Sequence, residues 1–306
     1  MGPLLALVVL YVVFGVMTDG NFLRGVTQVT IARQTVVVAL GAIGMTLVIV
    51  SGGIDLSIGS VVALAAVVVA KALDAGYGPD TAAMLGAVVG LLCGALNGAL
   101  VAALRITPFI VTLGTMSALR GLAKGLANEQ KIDADPRGLD ELMAMKPGGG
   151  GLLFPAGVWI AILLTIAVAI VLERARFGRH VIAVGSSPPA ARLAGISVGK
   201  VTLWAYVIAG ILAGVAGVMD FATLTVGDPT GSAGLELSVI AAVVIGGGSL
   251  SGGQGSIAGS LVGALLMTVL AAGATQLGIA NWVQQILTGA IIVVAVALDR
   301  LRHRSV

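Results

Sequence analysis

Charge is scarce in this chain. Only 10% of its 306 residues are Asp, Glu, Lys or Arg, 58% are hydrophobic, and the mean hydropathy is +1.09. A soluble domain needs far more charge to cover its surface, so lipid is the solvent for most of these residues. Cysteine is almost missing: Cys93 alone, inside an apolar run, excludes a disulfide within the chain and reads as a small packing residue. The two histidines, His180 and His303, sit in arginine-rich stretches, so there is no metal-spaced cluster and no histidine for a membrane-embedded catalytic triad. Aromatics are 4%, and no basic patch interleaved with them suggests nucleic acid. A phosphate-binding G-x-x-x-x-G-K-[ST] is also lacking, since Gly199-Lys200 is followed by Val201. The chain is therefore not an enzyme by itself and cannot cradle ATP.

Apolar length and glycine are what it has. Candidate spans fall at 3–17, 34–50, 57–73, 81–104, 108–127, 155–172, 200–219, 235–247, 256–276 and 281–298. A straight crossing takes about 20 apolar residues, so the short pieces, 235–247 above all, leave eight or nine crossings open if they are re-entrant. The first run, Leu4 to Val16, has no basic leader or small-residue cleavage site and reads as a retained, short span. Gly86, Gly90, Gly94 and Gly98 recur every four positions, a smooth helical stripe on which a neighbouring backbone can approach closely. Trp159, Trp204 and Trp282 stand near span starts, as interfacial anchors do.

Two segments read as aqueous. Residues 128–151 carry mixed charges and end in a glycine run, whereas 173–199 hold Arg174, Arg176, Arg179 and Arg192. The excess of arginine there, and Arg300, Arg302 and Arg304 at the end of the chain, make 173–199 and the tail cytoplasmic. Ten spans then put the N-terminus inside and 128–151 outside.

The oily pattern is interrupted twice by one motif. GGIDLSIG (52–59) and GGGSLSGG (246–253) share G-G-x-x-L-S-x-G, with apolar runs on both sides. Non-helical backbone at membrane depth survives only when buried in protein or lining a watery cavity, where its amides and carbonyls can meet a polar solute. Ser51, Asp55 and Ser57 in the first break, and Ser249 and Ser251 in the second, add polar groups. The competing reading makes Asp55 a helix N-cap in a tight turn. The span count puts both breaks on the same face.

GMTLVIVSGGIDLSIGSVVAL, GALNGALVAALRITPFIVTLGTMSALRGLA (94–123), SSPPAARLAGISVGKVTLWAYVIAGILAGVAG (186–217) and VVIGGGSLSGGQGSIAGSLVGALLM (243–267) follow one another in an order that resembles the ribose-type permease subunit of bacterial ABC importers. The resemblance implies an all-α integral membrane protein of type II importer fold. That fold is a polytopic bundle of about ten transmembrane helices, some short or broken, forming one permease domain over 1–306. It also implies a second permease subunit, a cytoplasmic ATPase that holds ATP and Mg, an extracytoplasmic sugar-binding protein and a place in the bacterial inner membrane. No cofactor is expected on the chain itself. The superfamily also carries branched-chain amino acids, autoinducers and nucleosides.

Two sets of residues follow. PPAARLAGISVGK (188–200) reads as a short cytoplasmic helix with a rigid proline start and small residues, suited to sink into a cleft on another protein. The resemblance makes it the coupling helix on the ATPase: Pro189, Ala190, Ala191, Arg192, Leu193, Ala194, Gly195 and Ile196. Pro189 stands where the family often has glutamate. For the path, the polar residues inside apolar runs are Asn97, Thr107, Thr112, Thr115 and Ser117, with Phe109 able to stack on a sugar face. Asn97 is the best of them, because a buried amide must find a partner on another helix. Arg120 and Lys124 read as snorkelling side chains. A secondary transporter would need ionisable residues deep in the spans, and only Asp55 is a candidate. Charge this sparse favours a neutral sugar or polyol as solute.

Overall fold

The structure is a computed structural model that describes residues 2–104, 106–145 and 153–304. The glycine run at 148–151 lies outside these, as do the side chains of Arg300, Arg302, Arg304 and His303. Among the described residues the chain forms α1 (Gly2–Met17), α2 (Gly25–Val50), α3 (Ile58–Asp74), α4 (Pro79–Leu104), α5 (Pro108–Leu126) and α6 (Ala156–Glu173). These are followed by α7 (Arg176–Ser186), α8 (Pro188–Leu193), α9 (Val198–Leu224), α10 (Leu235–Ile245), α11 (Ile257–Gln276) and α12 (Asn281–Arg304). The strands β1 (Ile132–Asp133) and β2 (Val226–Gly227) pair antiparallel over two residues each.

Each expected apolar segment is a helix, so the chain is an all-α membrane protein. Among the described residues five helices, α2, α4, α6, α9 and α11, are long and apolar enough to cross a bilayer. α1, α10 and the first part of α12 are apolar but shorter. The arginines of α7 and α8 mark one end of the bundle, the basic end; the β1–β2 pair marks the far end. Trp159, Trp204 and Trp282 are exposed on the outer surface.

The core forms around α9, which is buried along most of its length against α2, α3 and α4. Glycine sets its distance from α4. A Cβ added to Gly90 would lie 2.6 Å from the Gly214 Cα, and one on Gly94 would lie 2.9 Å from the Gly210 Cα. The stripe read at four-residue intervals therefore meets a matching pair of glycines on α9, and two backbones touch.

Two segments enter the bundle without being helical. α3 starts deep inside: Ile58 and Val239 both flank Gly41, nine residues and about 14 Å before the end of α2. Residues 51–57 thus climb from the basic end to mid-depth before α3 begins. From the far end, residues 228–234 descend to the same level, where Ser232 and Glu236 lie against Gly59. α10 begins there and runs only about 16 Å, over 11 residues, to the basic end. The short segment 235–247 is short because a run of non-helical turns, 228–234, covers the other half of its path.

Candidate functional site

The first break is a buried polar knot. Asp55 Oδ1 accepts hydrogen bonds from the Ser57 N–H (2.8 Å) and Ser57 Oγ (2.6 Å), and Asn97 Nδ2 of α4 donates to Ser57 Oγ (2.8 Å). The Ile54 carbonyl, freed because 51–57 is not helical, accepts from Thr112 Oγ1 of α5 (3.0 Å) and the Tyr206 hydroxyl of α9 (3.3 Å). Asp55, Ser57, Asn97 and Thr112 are all buried, because groups that leave a helix inside protein must be satisfied there. Asp55 closes the turn ahead of α3, and Ser57 occupies the N-cap position without a side-chain cap bond. Asn97 Oδ1 is buried without a hydrogen-bond partner. In this conformation the knot holds the break together and presents no open surface to a solute.

The other expected path residues lie apart from it. Thr107 and Phe109 are exposed at the basic end. Ser51 turns its hydroxyl back onto the Val48 carbonyl (2.8 Å), Thr115 bonds back within α5 to the Thr112 carbonyl (3.2 Å), and Ser117 is exposed. Ser249 is buried, with its Oγ accepting the Ser251 N–H (3.3 Å), while Ser251 itself is exposed.

The second break, 246–255, sits at the basic end rather than at mid-depth, between α10 and α11. It nevertheless touches the first, because the Gly253 N–H donates to the Val50 carbonyl at the end of α2 (2.9 Å). A Cβ on Gly252 would lie 3.0 Å from the Gly52 Cα, and one on Gly185 of α7 would lie 2.6 Å from the Gly253 nitrogen. Four stretches of backbone meet here: the end of α2, both breaks and α7. Side chains would force them apart.

α8 is shorter than the helix expected over 188–200. Ser187 opens it by accepting the Ala190 N–H (3.4 Å). Gly195, at φ +78°, closes it, and the Ile196 N–H returns to the Ala191 carbonyl (2.9 Å). A left-handed residue at this position is the ordinary glycine stop of a helix. Gly195 therefore lies beyond the helix that carries Ala191, which corrects the reading of 188–200 as one helix. Ala191 points into the chain at 3% exposure, whereas Leu193 is 92% exposed. Pro189, Ala190, Arg192, Ala194 and Gly195 are also exposed, and Ile196 is half-buried.

A second polar centre, at mid-depth and above, was missed from sequence. Arg120 does not snorkel: its Nη1 donates to the carbonyls of Gly231 (2.6 Å) and Pro229 (3.1 Å) and so holds the descending segment. Ser232 Oγ lies 3.5 Å from Asp220 Oδ2, Glu236 Oε1 accepts the Gly234 N–H (3.2 Å), and Glu236 Oε2 is buried without a partner. Lys131 and Asp228 make an ion pair of 3.1 Å above them. Asp55 is thus not the only acidic group inside the bundle. Asp220 escaped because α9 runs to Leu224, past the expected end at 219, and Glu236 because it stood at the edge of a span.

A family model described as the branched-chain amino acid transport system / permease component matches residues 27–296. The chain is 37% identical over 300 residues to a ribose import permease protein of Escherichia coli, covering 98% of this chain and 93% of that one. It is 36% identical to the ribose import permease protein of Bacillus subtilis, covering 98% and 92% of the two chains. The corresponding figures for the fructose import permease protein of Rhizobium meliloti are 36%, 97% and 84%. No solved structure matches. With a matched region that takes in both breaks, the knot and α8, the chain belongs to the family of branched-chain amino acid transport system permease components.

Proposed function

We propose that this chain is the permease subunit of an ATP-driven importer of a neutral sugar or polyol in the bacterial cytoplasmic membrane. The observation that carries the reading is its similarity, over nearly its whole length, to ribose and fructose import permeases. The family description names branched-chain amino acids, but these relatives narrow the solute to a sugar. The basic end faces the cytoplasm, and the chain crosses ten times, the descent of 228–234 followed by α10 forming one crossing. Two copies, or this chain and a paralogue, enclose the path, since broken spans in one subunit this small cannot wall a watery route and also shield their backbone.

ATP and Mg belong to a partner ATPase. The exposed edge of α8, Pro189, Ala190, Arg192, Leu193, Ala194 and Gly195, is the surface that rests on it, with Ala191 and Ile196 anchoring the helix to its own chain. Movement of α8 passes to α7 and, through Gly185, to the ends of both breaks. The first break then shifts against Asn97, Thr112 and Tyr206, so that Ser51, Asp55, Ser57, Asn97, Thr107, Phe109, Thr112, Ser249 and Ser251 come to line the path. An ion-coupled secondary transporter would need an acid free to load an ion, and Glu236 Oε2 is a candidate, but the similarity to ribose and fructose import permeases favours the ATP-driven reading.

Copurification of the chain with the ATPase and binding protein encoded beside it, then uptake of labelled ribose and fructose into proteoliposomes, tests the proposal. Uptake that needs ATP and the binding protein is expected. Uptake by the chain alone, driven by an ion gradient, would sink it.

A further inference from the structure

At the far end, outside the elements used above, α1 borders two recesses that follow one another along the chain. One is an apolar groove of about 520 Å³ lined by Leu7, Val8, Tyr11, Val12, Val16 and Leu23. The other is a mixed cleft of about 620 Å³ lined by polar Thr18, Asp19, Asn21, Arg24, Thr27 and Gln276 and by apolar Met17, Val26 and Leu277. The cleft begins where the groove ends, at the turn after α1 that Asp19 (φ +50°) and Gly20 (φ +78°) make through left-handed conformations.

The Thr18 and Thr27 hydroxyls bond to the Phe14 and Asn21 carbonyls, but four other polar side chains of the cleft are not spent on the fold. Among the described residues, the Arg24 guanidinium and the Asp19 carboxylate make no ion pair, and the side-chain amides of Asn21 and Gln276 make no hydrogen bond. One cation, one anion and two amides thus face a common space at a membrane surface. The groove spans Leu7 to Val16, about 14 Å along α1. That is close to half of a hydrocarbon core about 30 Å thick, the depth of a single leaflet.

We infer that cleft and groove together hold one zwitterionic phospholipid of the leaflet at the far end. Its phosphate sits on Arg24, whose planar fork takes a phosphate by two hydrogen bonds. Its ammonium sits on Asp19, and Asn21 and Gln276 serve the glycerol esters. One acyl chain lies along α1 between Leu7 and Leu23. Charge complementarity selects the headgroup, because phosphatidylglycerol places neutral hydroxyls where the ammonium would be and leaves the Asp19 carboxylate without a cation.

Native mass spectrometry of the chain in mild detergent tests this, before and after delipidation and re-addition of phosphatidylethanolamine, phosphatidylglycerol or glycerophosphoethanolamine. One phosphatidylethanolamine per chain should survive purification. Phosphatidylglycerol should rebind at least fivefold more weakly, and the soluble headgroup, which has no acyl chain, should not bind. Arg24→Ala and Asp19→Ala should each lower retention about tenfold, as should Val12→Trp, which fills the groove without touching the headgroup. Added phosphatidylethanolamine should raise the melting temperature of the wild type and not of these variants. Equal retention by wild type and variants, or equal binding of both lipids, would reduce the site to ordinary annular lipid and overturn the inference. Unchanged retention together with loss of binding-protein-stimulated uptake would make the cleft a protein dock and overturn it as well. Should a headgroup variant fail to fold, Val12→Trp decides.

Discussion

The contact between α4 and α9 gives the sharpest test of the fold. Gly90→Ala adds a Cβ 2.6 Å from the Gly214 Cα, and Gly210→Ala adds one 2.6 Å from the Gly94 Cα. Carbon atoms rest about 3.5–4.0 Å apart, so either change pushes the helices apart by roughly 1 Å along a line where main chain meets main chain. A gap of 0.5–1 Å forfeits about a quarter to a half of each dispersion well of about 0.1–0.2 kcal/mol. Spread over roughly thirty atom pairs, the loss is about 1–3 kcal/mol, the range seen for overpacked cores. Alanine returns about 0.5–1 kcal/mol through helix propensity. The net is about 0–2.5 kcal/mol of destabilisation, centred near 1, and leucine at either site costs more. Gly289→Ala in α12 is the control, because its Cβ would meet nothing within 4 Å. Thermal unfolding in detergent, followed by size exclusion after heating, should show a lower midpoint for both α4–α9 variants and an equal or higher one for Gly289→Ala. If Gly90→Ala melts at or above the wild type, the close approach of α4 and α9 is not there.

Leu193→Glu should leave the melting temperature unchanged, since the side chain stands in solvent, and should weaken ATPase pull-down at least tenfold; Ala191→Trp should instead lower the melting temperature, because Ala191 faces its own chain. Arg120→Ala strips a donor from two carbonyls, an effect of about 2–3 kcal/mol, and hydrogen exchange at 230–234 should rise while that of α9 does not. Asn97→Leu removes the amide that holds Ser57, and uptake should fall with ATPase assembly intact; normal uptake would make Asn97 a packing residue only.

How far the sequence could be read follows from what each signal reports. Apolar runs give helix positions well, and all ten segments are helices, because burial in lipid or protein needs only composition. Glycine spacing gave the α4 face, though not its partner, since nothing in the stripe names Gly210 and Gly214. Depth was the weak point. GGIDLSIG and GGGSLSGG look alike, yet one climbs to mid-depth and the other turns at the bundle end. The difference lies in what surrounds them, Asn97, Thr112 and Tyr206 from three other helices. Arg120 looked like a snorkelling side chain because its acceptors are carbonyls about 110 residues away, and carbonyls leave no mark in sequence. The end of α8 was legible in principle: a glycine two residues past Leu193 is a stop signal, and it outweighs a small-residue pattern that suggests a longer helix.

The junction of Gly52, Gly185, Gly252 and Gly253 has a consequence for how such subunits can diversify. Main-chain atoms alone make it, so its geometry does not depend on which side chains decorate the solvent side of α7 and α8. That surface is free to change to suit a different motor, while the joint beneath keeps its shape. Under the proposed function, recognition of the motor and delivery of its stroke would be separable modules. Exchanging only the outward residues of α8 between two relatives, Arg192, Leu193 and Ala194 in this chain, should swap the ATPase each one accepts and leave the solute each one carries unchanged.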